Sequence, residues 1–188
     1  MKKNYRSGYI RIIGGQWRRH KLPVLNSIGL QPTTDRIRET LFNWLNPIIK
    51  NSNCLDCFTG SGALGFESLS RYANFVTMLE SNITVVKQLQ KNLKFFNVSN
   101  SEIIKTNTLF WLKQKGRPFD IVFIDPPFDS DFISETMFLL DNNGWLSDHA
   151  LIYIESKKIK MVNIPYNWIL YKKNTAGKVV YCLYRIKK

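Results

Sequence analysis

Residues 54–65 read Cys54-Leu-Asp-Cys-Phe-Thr-Gly-Ser-Gly-Ala-Leu-Gly65. A short apolar run enters a glycine-rich turn, and helical spacing begins beyond it. Gly60, Gly62 and Gly65 fit G-x-G-x-x-G, directly after a strand and opening a helix. Residues without side chains let a ligand approach the main chain, and the first turn of a helix offers free N–H groups. Alone, the pattern fits any nucleotide cofactor, or a structural turn with no ligand.

Outward from this turn the chain alternates. Cys54–Phe58 reads as a strand and residues 62–71 as a helix. Strands at 75–79, 102–105 and 119–124 follow, with helices at 82–96, 109–115 and 132–140 between and after them, and a strand at 151–155 closes the series. Such alternation predicts a parallel sheet covered by helices on both faces. Trp168–Tyr171 and Val179–Arg185 flank Asn174-Thr-Ala-Gly177 and predict an antiparallel hairpin. A mostly parallel α/β sheet finished by such a pair is the layout of Rossmann-like class I methyltransferases, an argument by analogy of fold.

Upstream lies a different segment. Tyr9–Ile13 and Gln16–Leu22 flank Gly14-Gly15, which predicts a β-hairpin ending before Pro23. Residues 29–34 read as a loop. Thr34 or Asp35 then caps a helix carrying Ile37, Leu41, Trp44 and Leu45, with Pro47 beyond it. The expected organisation is therefore a basic extension over residues 1–50 and a methyltransferase domain over 51–188.

Charge is uneven. Residues 1–50 hold ten Lys/Arg against two Asp/Glu, residues 51–155 hold eight against twelve, and residues 156–188 hold nine against none. Compositional bias accounts for the C-terminal lysines, but six of the nine arginines fall within the first 38 residues. Arginine suits bidentate phosphate recognition and base stacking, so a polyanionic partner is expected. Trp17, Arg18, Arg19 and Lys21 form an aromatic and cationic cluster of the kind that holds phosphates and stacks on bases. Arg11, Arg36 and Arg38 extend the expected RNA contacts, with helix packing as the alternative for Arg38. No run reaches the ~20 apolar residues that span a bilayer, and no basic amphipathic helix suggests a membrane surface. No apolar run with a cleavage site follows the basic N-terminus.

Cys54, Cys57 and Cys182 are an odd set without a secretion leader, which predicts reduced thiols. Cys54-x-x-Cys57 lacks the second pair or histidines that a metal needs, and His20 and His149 stand alone. No metal is expected.

Glu80 ends the second strand, 20 residues past Gly60. A carboxylate there can accept both hydroxyls of a ribose. Asn107-Thr108 ends the third strand, where an adenine edge would lie. Asp56 sits within an apolar strand, where charge is costly unless used. It reads as a partner for the ammonium of a methionine moiety or as a helix cap. Thr59 and Ser61 complete the loop.

Phe119-Asp-Ile-Val-Phe-Ile124 runs into Asp125-Pro126-Pro127-Phe128. Ligands of open parallel sheets bind at the carboxyl ends of the strands, so this turn is expected beside the glycine loop. Two prolines stiffen it and remove two N–H donors. Its carbonyls and the Asp125 carboxylate can accept both hydrogens of one –NH2 group, and Phe128 offers a stacking face. Acceptors on both N–H bonds favour an sp³-like nitrogen aimed at a methyl donor, and orientation supplies the rate. The pairing of the two motifs points to S-adenosylmethionine as cofactor and to an amine of a planar base as acceptor.

Four segments then carry a resemblance: Arg11-Ile-Ile-Gly-Gly-Gln-Trp-Arg18, Pro32-Thr-Thr-Asp-Arg-Ile-Arg-Glu-Thr-Leu-Phe-Asn43, Leu55–Gly65 and Asp125–Phe128. The chain resembles the RsmD family, which methylates guanine N2 in bacterial 16S ribosomal RNA. The resemblance implies a cytoplasmic enzyme, here expected as a monomer, acting on 16S rRNA within the small ribosomal subunit. It also implies that residues 32–43 lie over the cofactor pocket, making Thr34 and Arg38 candidate contacts. Asn107 departs from the Asp found in many related methyltransferases. Methylation of DNA adenine or protein glutamine remains an alternative, as does an assembly factor without catalysis.

Overall fold

The computed structural model describes residues 6–26, 34–127, 132–156 and 164–187. Its centre is a seven-stranded sheet ordered β5-β4-β3-β6-β7-β9-β8. These strands are β3 (Asn53–Asp56), β4 (Phe75–Glu80), β5 (Ser101–Lys105), β6 (Phe119–Ile124), β7 (Leu146–Ser156), β8 (Trp168–Ala176) and β9 (Val179–Ile186). Pairing is parallel from β5 to β7 and antiparallel at β7–β9 and β8–β9. The chain steps outward from β3 through β4 to β5, then returns to β6 on the other side of β3. That reversal opens a crevice at the carboxyl ends of β3 and β6.

The central strands read as continuous apolar runs because both faces are covered. On one face lie α1 (Asp35–Leu45), α2 (Ala63–Ser70), α3 (Ile83–Phe95) and a hairpin of β1 (Arg6–Arg11) and β2 (Lys21–Asn26). On the other lie α4 (Thr108–Leu112) and α5 (Phe132–Asn142), packed around Trp145 and Phe119. Ile10, Leu22, Ile37, Leu41 and Phe42 share one core with Leu64, Phe66 and Met78. Residues from the basic N-terminal segment therefore help to bury the sheet.

Local sequence explains the ends of the helices. Thr34 has extended backbone and its hydroxyl accepts from Ile37 N–H at 3.4 Å, capping α1. Asn82 caps α3 and Asn107 caps α4 in the same way. Each such cap stabilises its helix by about 1 kcal/mol.

Three boundaries differ from the sequence reading. The N-terminal hairpin pairs Tyr9 with Pro23, so its second strand runs through Pro23 instead of stopping before it. Residues 14–19 are bends and turns, not strand, because they dock on the end of α2. Gln16 N–H donates to Ser70 O at 2.8 Å and Trp17 N–H to Ser70 Oγ at 3.0 Å. A two-stranded ribbon tolerates a residue without an N–H, and the Pro23 carbonyl accepts from Asn92 Nδ2 at 3.0 Å. Strand β7 begins five residues early because an irregularity in register lets Leu146 pair with Phe119. Strand β8 continues through polar, exposed Lys172–Thr175, as an edge strand can. Its hairpin turns on Gly177 and Lys178, with Gly177 at φ 59°. Residues 29–33 of the loop expected at 29–34 lie outside the described residues.

Candidate active site

Strands β3, β4, β5 and β6 end around a cavity of about 220 Å³. Gly60, Glu80, Asn107, Thr108, Asp125 and Pro127 line it, so residues from all four strand ends meet in one place. Phe128 lies outside the described residues. Pro126 is buried beside the cavity lining.

Glu80 is held in place by backbone. Gly60 N–H donates to its Oε2 at 3.1 Å and Asn82 N–H to its Oε1 at 2.7 Å. Each carboxylate oxygen has a further lone pair, a geometry that suits two vicinal hydroxyls. Gly60 itself takes φ 50°, which turns its N–H towards that carboxylate.

The other two glycines serve packing. A Cβ on Gly62, at φ 81°, would meet Leu89 and Phe66 at 2.7 and 2.8 Å. A Cβ on Gly65 would meet Met78 Sδ at 2.7 Å. Helix α2 thus comes close to β4 because Gly65 has no side chain, and of the three glycines Gly60 lines the cavity. Thr59 is also structural: its hydroxyl donates to Asp56 O at 3.2 Å. Ser61 is half-buried in the same turn and does not line the cavity.

Asp56 ends β3 in the interior, 2% exposed, and its Oδ2 has no hydrogen-bond partner. Burial pushes its carboxyl up to about 7; the N–H groups of Gly65 and Phe58 pull the other way, and the charge of Glu80 adds to the rise. A buried acceptor without a partner fits a cationic group arriving from a ligand. It does not cap α2, whose N-cap is Gly62 without a side-chain bond.

Asn107 and Thr108 stand where the sequence places them but are already engaged. Asn107 Oδ1 accepts from Phe110 N–H at 3.0 Å, and Thr108 donates its hydroxyl to Cys57 O. The Asn107 side-chain carbonyl therefore already serves α4. Sequence reasoning missed the apolar wall. Phe58 and Phe132 stack with ring centroids 6.2 Å apart, and Leu109 joins them. Phe58 directly precedes the glycine loop, so its position held the clue.

The N-terminal residues divide. Arg11, Arg18, Arg19, Lys21 and Arg36 are exposed. Trp17 is half-buried and lies against Phe96, centroids 4.4 Å apart. Arg38, expected on RNA or cofactor, is 1% exposed. Its Nη2 donates to Asp35 Oδ1 at 2.6 Å and its Nη1 lies 4.0 Å from Glu67 Oε2. The side chain is buried near Glu67 of α2, and its Nε and Nη1 have no hydrogen-bond partner. Thr34 is exposed and caps α1 without lining the cavity.

Cys54 and Cys57 are buried with free thiols, and burial raises both well above the ordinary thiol range. They are poor nucleophiles and poor ligands in that state. Among the described residues no group of three His, Cys, Asp or Glu could hold a metal, and no helix is long and apolar enough to cross a membrane.

The family model described as Conserved hypothetical protein 95 matches residues 10–185. Ribosomal RNA small subunit methyltransferase D of Escherichia coli is 54% identical over 180 residues, covering 95% of this chain and 91% of its own. Its Haemophilus influenzae counterpart of the same name is 52% identical, covering 95% and 94%. The solved structure of Escherichia coli yhhF superposes with a TM-score of 0.90 at 51% identity, over 96% of this chain and 99% of that one. A ribosomal protein L11 methylase of Lactobacillus delbrueckii shares the fold at TM-score 0.66 and 16% identity, over 86% and 84%. With a family match over nearly its whole length and relatives above half identity, this chain belongs to the RsmD family of methyltransferases.

Proposed function

We propose that this protein transfers a methyl group from S-adenosylmethionine to the exocyclic N2 amine of a guanine in 16S rRNA of the small ribosomal subunit, in the cytoplasm and without a metal. The observation that carries the reading is the single cavity lined by both Glu80 and Asp125. One carboxylate is fixed for a ribose; the other opens the turn that accepts an amine. The relatives named above are small-subunit rRNA methyltransferases.

S-adenosylmethionine would supply an electrophilic methyl on a sulfonium. Glu80 would take the ribose hydroxyls, Phe58 and Leu109 the adenine faces, and Asp56 the ammonium. Asp125 and the carbonyls of the Pro126-Pro127 turn would accept the two amine hydrogens and hold the nitrogen in line, with Phe128 stacked on the base. Within this reading residues 51–188 form the catalytic domain. Residues 1–50 supply RNA contacts through Arg11, Arg18, Arg19, Lys21 and Arg36, which are exposed. A target base inside structured RNA must be extruded to reach the turn.

The direct test incubates the protein and radiolabelled S-adenosylmethionine with small subunits from cells lacking the modification. Label should map to N2 of one guanine in 16S rRNA. Label only on protein, on DNA, or nowhere overturns the reading.

A further inference from the structure

A second concavity lies towards the amino ends of the parallel strands, away from the active site. It measures about 380 Å³, against about 220 Å³ for the active-site cavity. The end of α1 and the turn after it contribute Trp44 and Ile48, and β7 contributes His149. Strands β8 and β9 contribute Tyr171 and Arg185, and Lys187 follows just past β9. Leu151 pairs with Arg185 at this level, whereas the active-site end of β7 lies beyond Ile154, which pairs with Ile124.

Tyr171 is the extra residue of a bulge: Leu170 pairs with Tyr184 and Lys172 with Leu183. Bulges re-aim a side chain. Here the ring stays 47% exposed, with Arg185 Cζ 5.6 Å and Lys172 Nζ 5.2 Å from its centroid. Trp44 rests on Tyr181, centroids 5.5 Å apart, and is itself only half-buried. Ile48 is exposed. A bulge and lysines on an edge strand also deter pairing with other chains. That accounts for Lys172 and Lys173, but not for the aromatic and aliphatic side chains left open beside them.

None of the groove's described lining residues is acidic, and residues 156–188 hold nine Lys/Arg and no Asp/Glu. Positive charge without a balancing carboxylate favours a polyanion over a neutral apolar partner. Flat apolar faces bordered by cations suit a polyanion that carries flat bases, which is single-stranded nucleic acid.

We propose that this groove is a second RNA-binding surface, in which an unpaired nucleotide stacks on Tyr171 while neighbouring phosphates meet Arg185 and Lys187. It holds RNA remote from the target base, so it adds affinity and leaves the chemical step alone. The proposal rests on the RNA reading above.

The test uses the full chain, without cofactor, and a short fluorescein-labelled single-stranded RNA. Tyr171 and Arg185 are exposed, so their replacement leaves the core intact. Tyr171→Ala should weaken binding roughly 10-fold, and Tyr171→Phe, which keeps the ring, should bind as the unaltered protein does. Arg185→Ala combined with Lys187→Ala should lower the slope of log K against log salt by about 1. With thiouridine in the RNA, light-induced crosslinks should map to Tyr171 or Trp44. Crosslinks confined to other surfaces, or an unchanged affinity in Tyr171→Ala, overturn the proposal. So does an acidic peptide that binds as tightly as the RNA and is lost in the same variant, which would make the groove a protein-binding site. With small subunits as substrate, Tyr171→Ala should raise KM several-fold at unchanged kcat. A protein that binds RNA through Tyr171 but methylates none sinks the functional reading alone. One that methylates 16S rRNA with KM unaffected by Tyr171→Ala sinks this proposal alone.

Discussion

Glu67 Oε1 accepts the Gly14 N–H at 2.8 Å, joining α2 to a turn 53 residues earlier in the chain. The same carboxylate accepts from Ile13 N–H at 2.8 Å and from Arg71 Nε at 2.8 Å. Arg38 lies 4.0 Å away from α1. A side chain with no exposure thus ties the N-terminal hairpin, α1 and α2 together. Glu67→Ala leaves two backbone donors and the Arg71 guanidinium short of an acceptor. We expect it to lower unfolding free energy by about 3–5 kcal/mol, read from urea denaturation. A loss below about 1 kcal/mol would mean that water or a neighbour replaces the carboxylate.

Asp56 gives the protein a pH signature. Its carboxyl is raised from the ordinary range to about 7 by burial. The folded state then binds a proton that the unfolded state has lost, so stability falls as pH climbs from about 4 to about 7 and levels off above. The fall should be on the order of a few kcal/mol. Asp56→Asn should flatten that part of the profile while weakening binding of S-adenosylmethionine. In the unaltered protein, cofactor binding near pH 6.5 should release a proton as the ammonium stabilises the charged carboxylate. Calorimetry in buffers of different ionisation enthalpy measures this; no proton release would detach Asp56 from the ammonium.

Asp125→Ala should reduce methyl transfer at least 10³-fold while cofactor affinity changes only a few-fold, since the amine loses a fixed acceptor and the cofactor loses none. Single-turnover rates with equilibrium dialysis separate the two. Near-normal transfer would remove Asp125 from the acceptor site.

Arg18 and Arg19 are exposed at the end of the hairpin. Replacing both with Ala should weaken RNA binding and lower the slope of log K against log salt by about 1–2, because each phosphate contact releases counterions. Fluorescence anisotropy at several salt concentrations reports the slope. Trp17→Ala should instead act through stability, since that ring packs on Phe96.

The parallel sheet was legible because its strands are apolar runs of the right length, broken by glycine and by capping Asn and Thr residues. The meeting of Gly60, Glu80 and Asp125 was legible for a topological reason: strand ends of one parallel sheet share one edge. The separate roles of the glycines were not. Gly60 turns its N–H to Glu80, while Gly65 lets Met78 approach. A spacing pattern cannot say which neighbour each glycine faces.

Sequence alone therefore determined the order and type of the elements, the side of the sheet that carries the site, and the resemblance that identifies the family. These depend on local periodicity and on residues close together in the chain. Only the tertiary structure decided that Arg38 is buried beside Glu67 and that Trp17 rests on Phe96. Whether a charged or aromatic side chain faces solvent, core or ligand depends on elements that pack against it from far along the chain, and no local pattern carries that information.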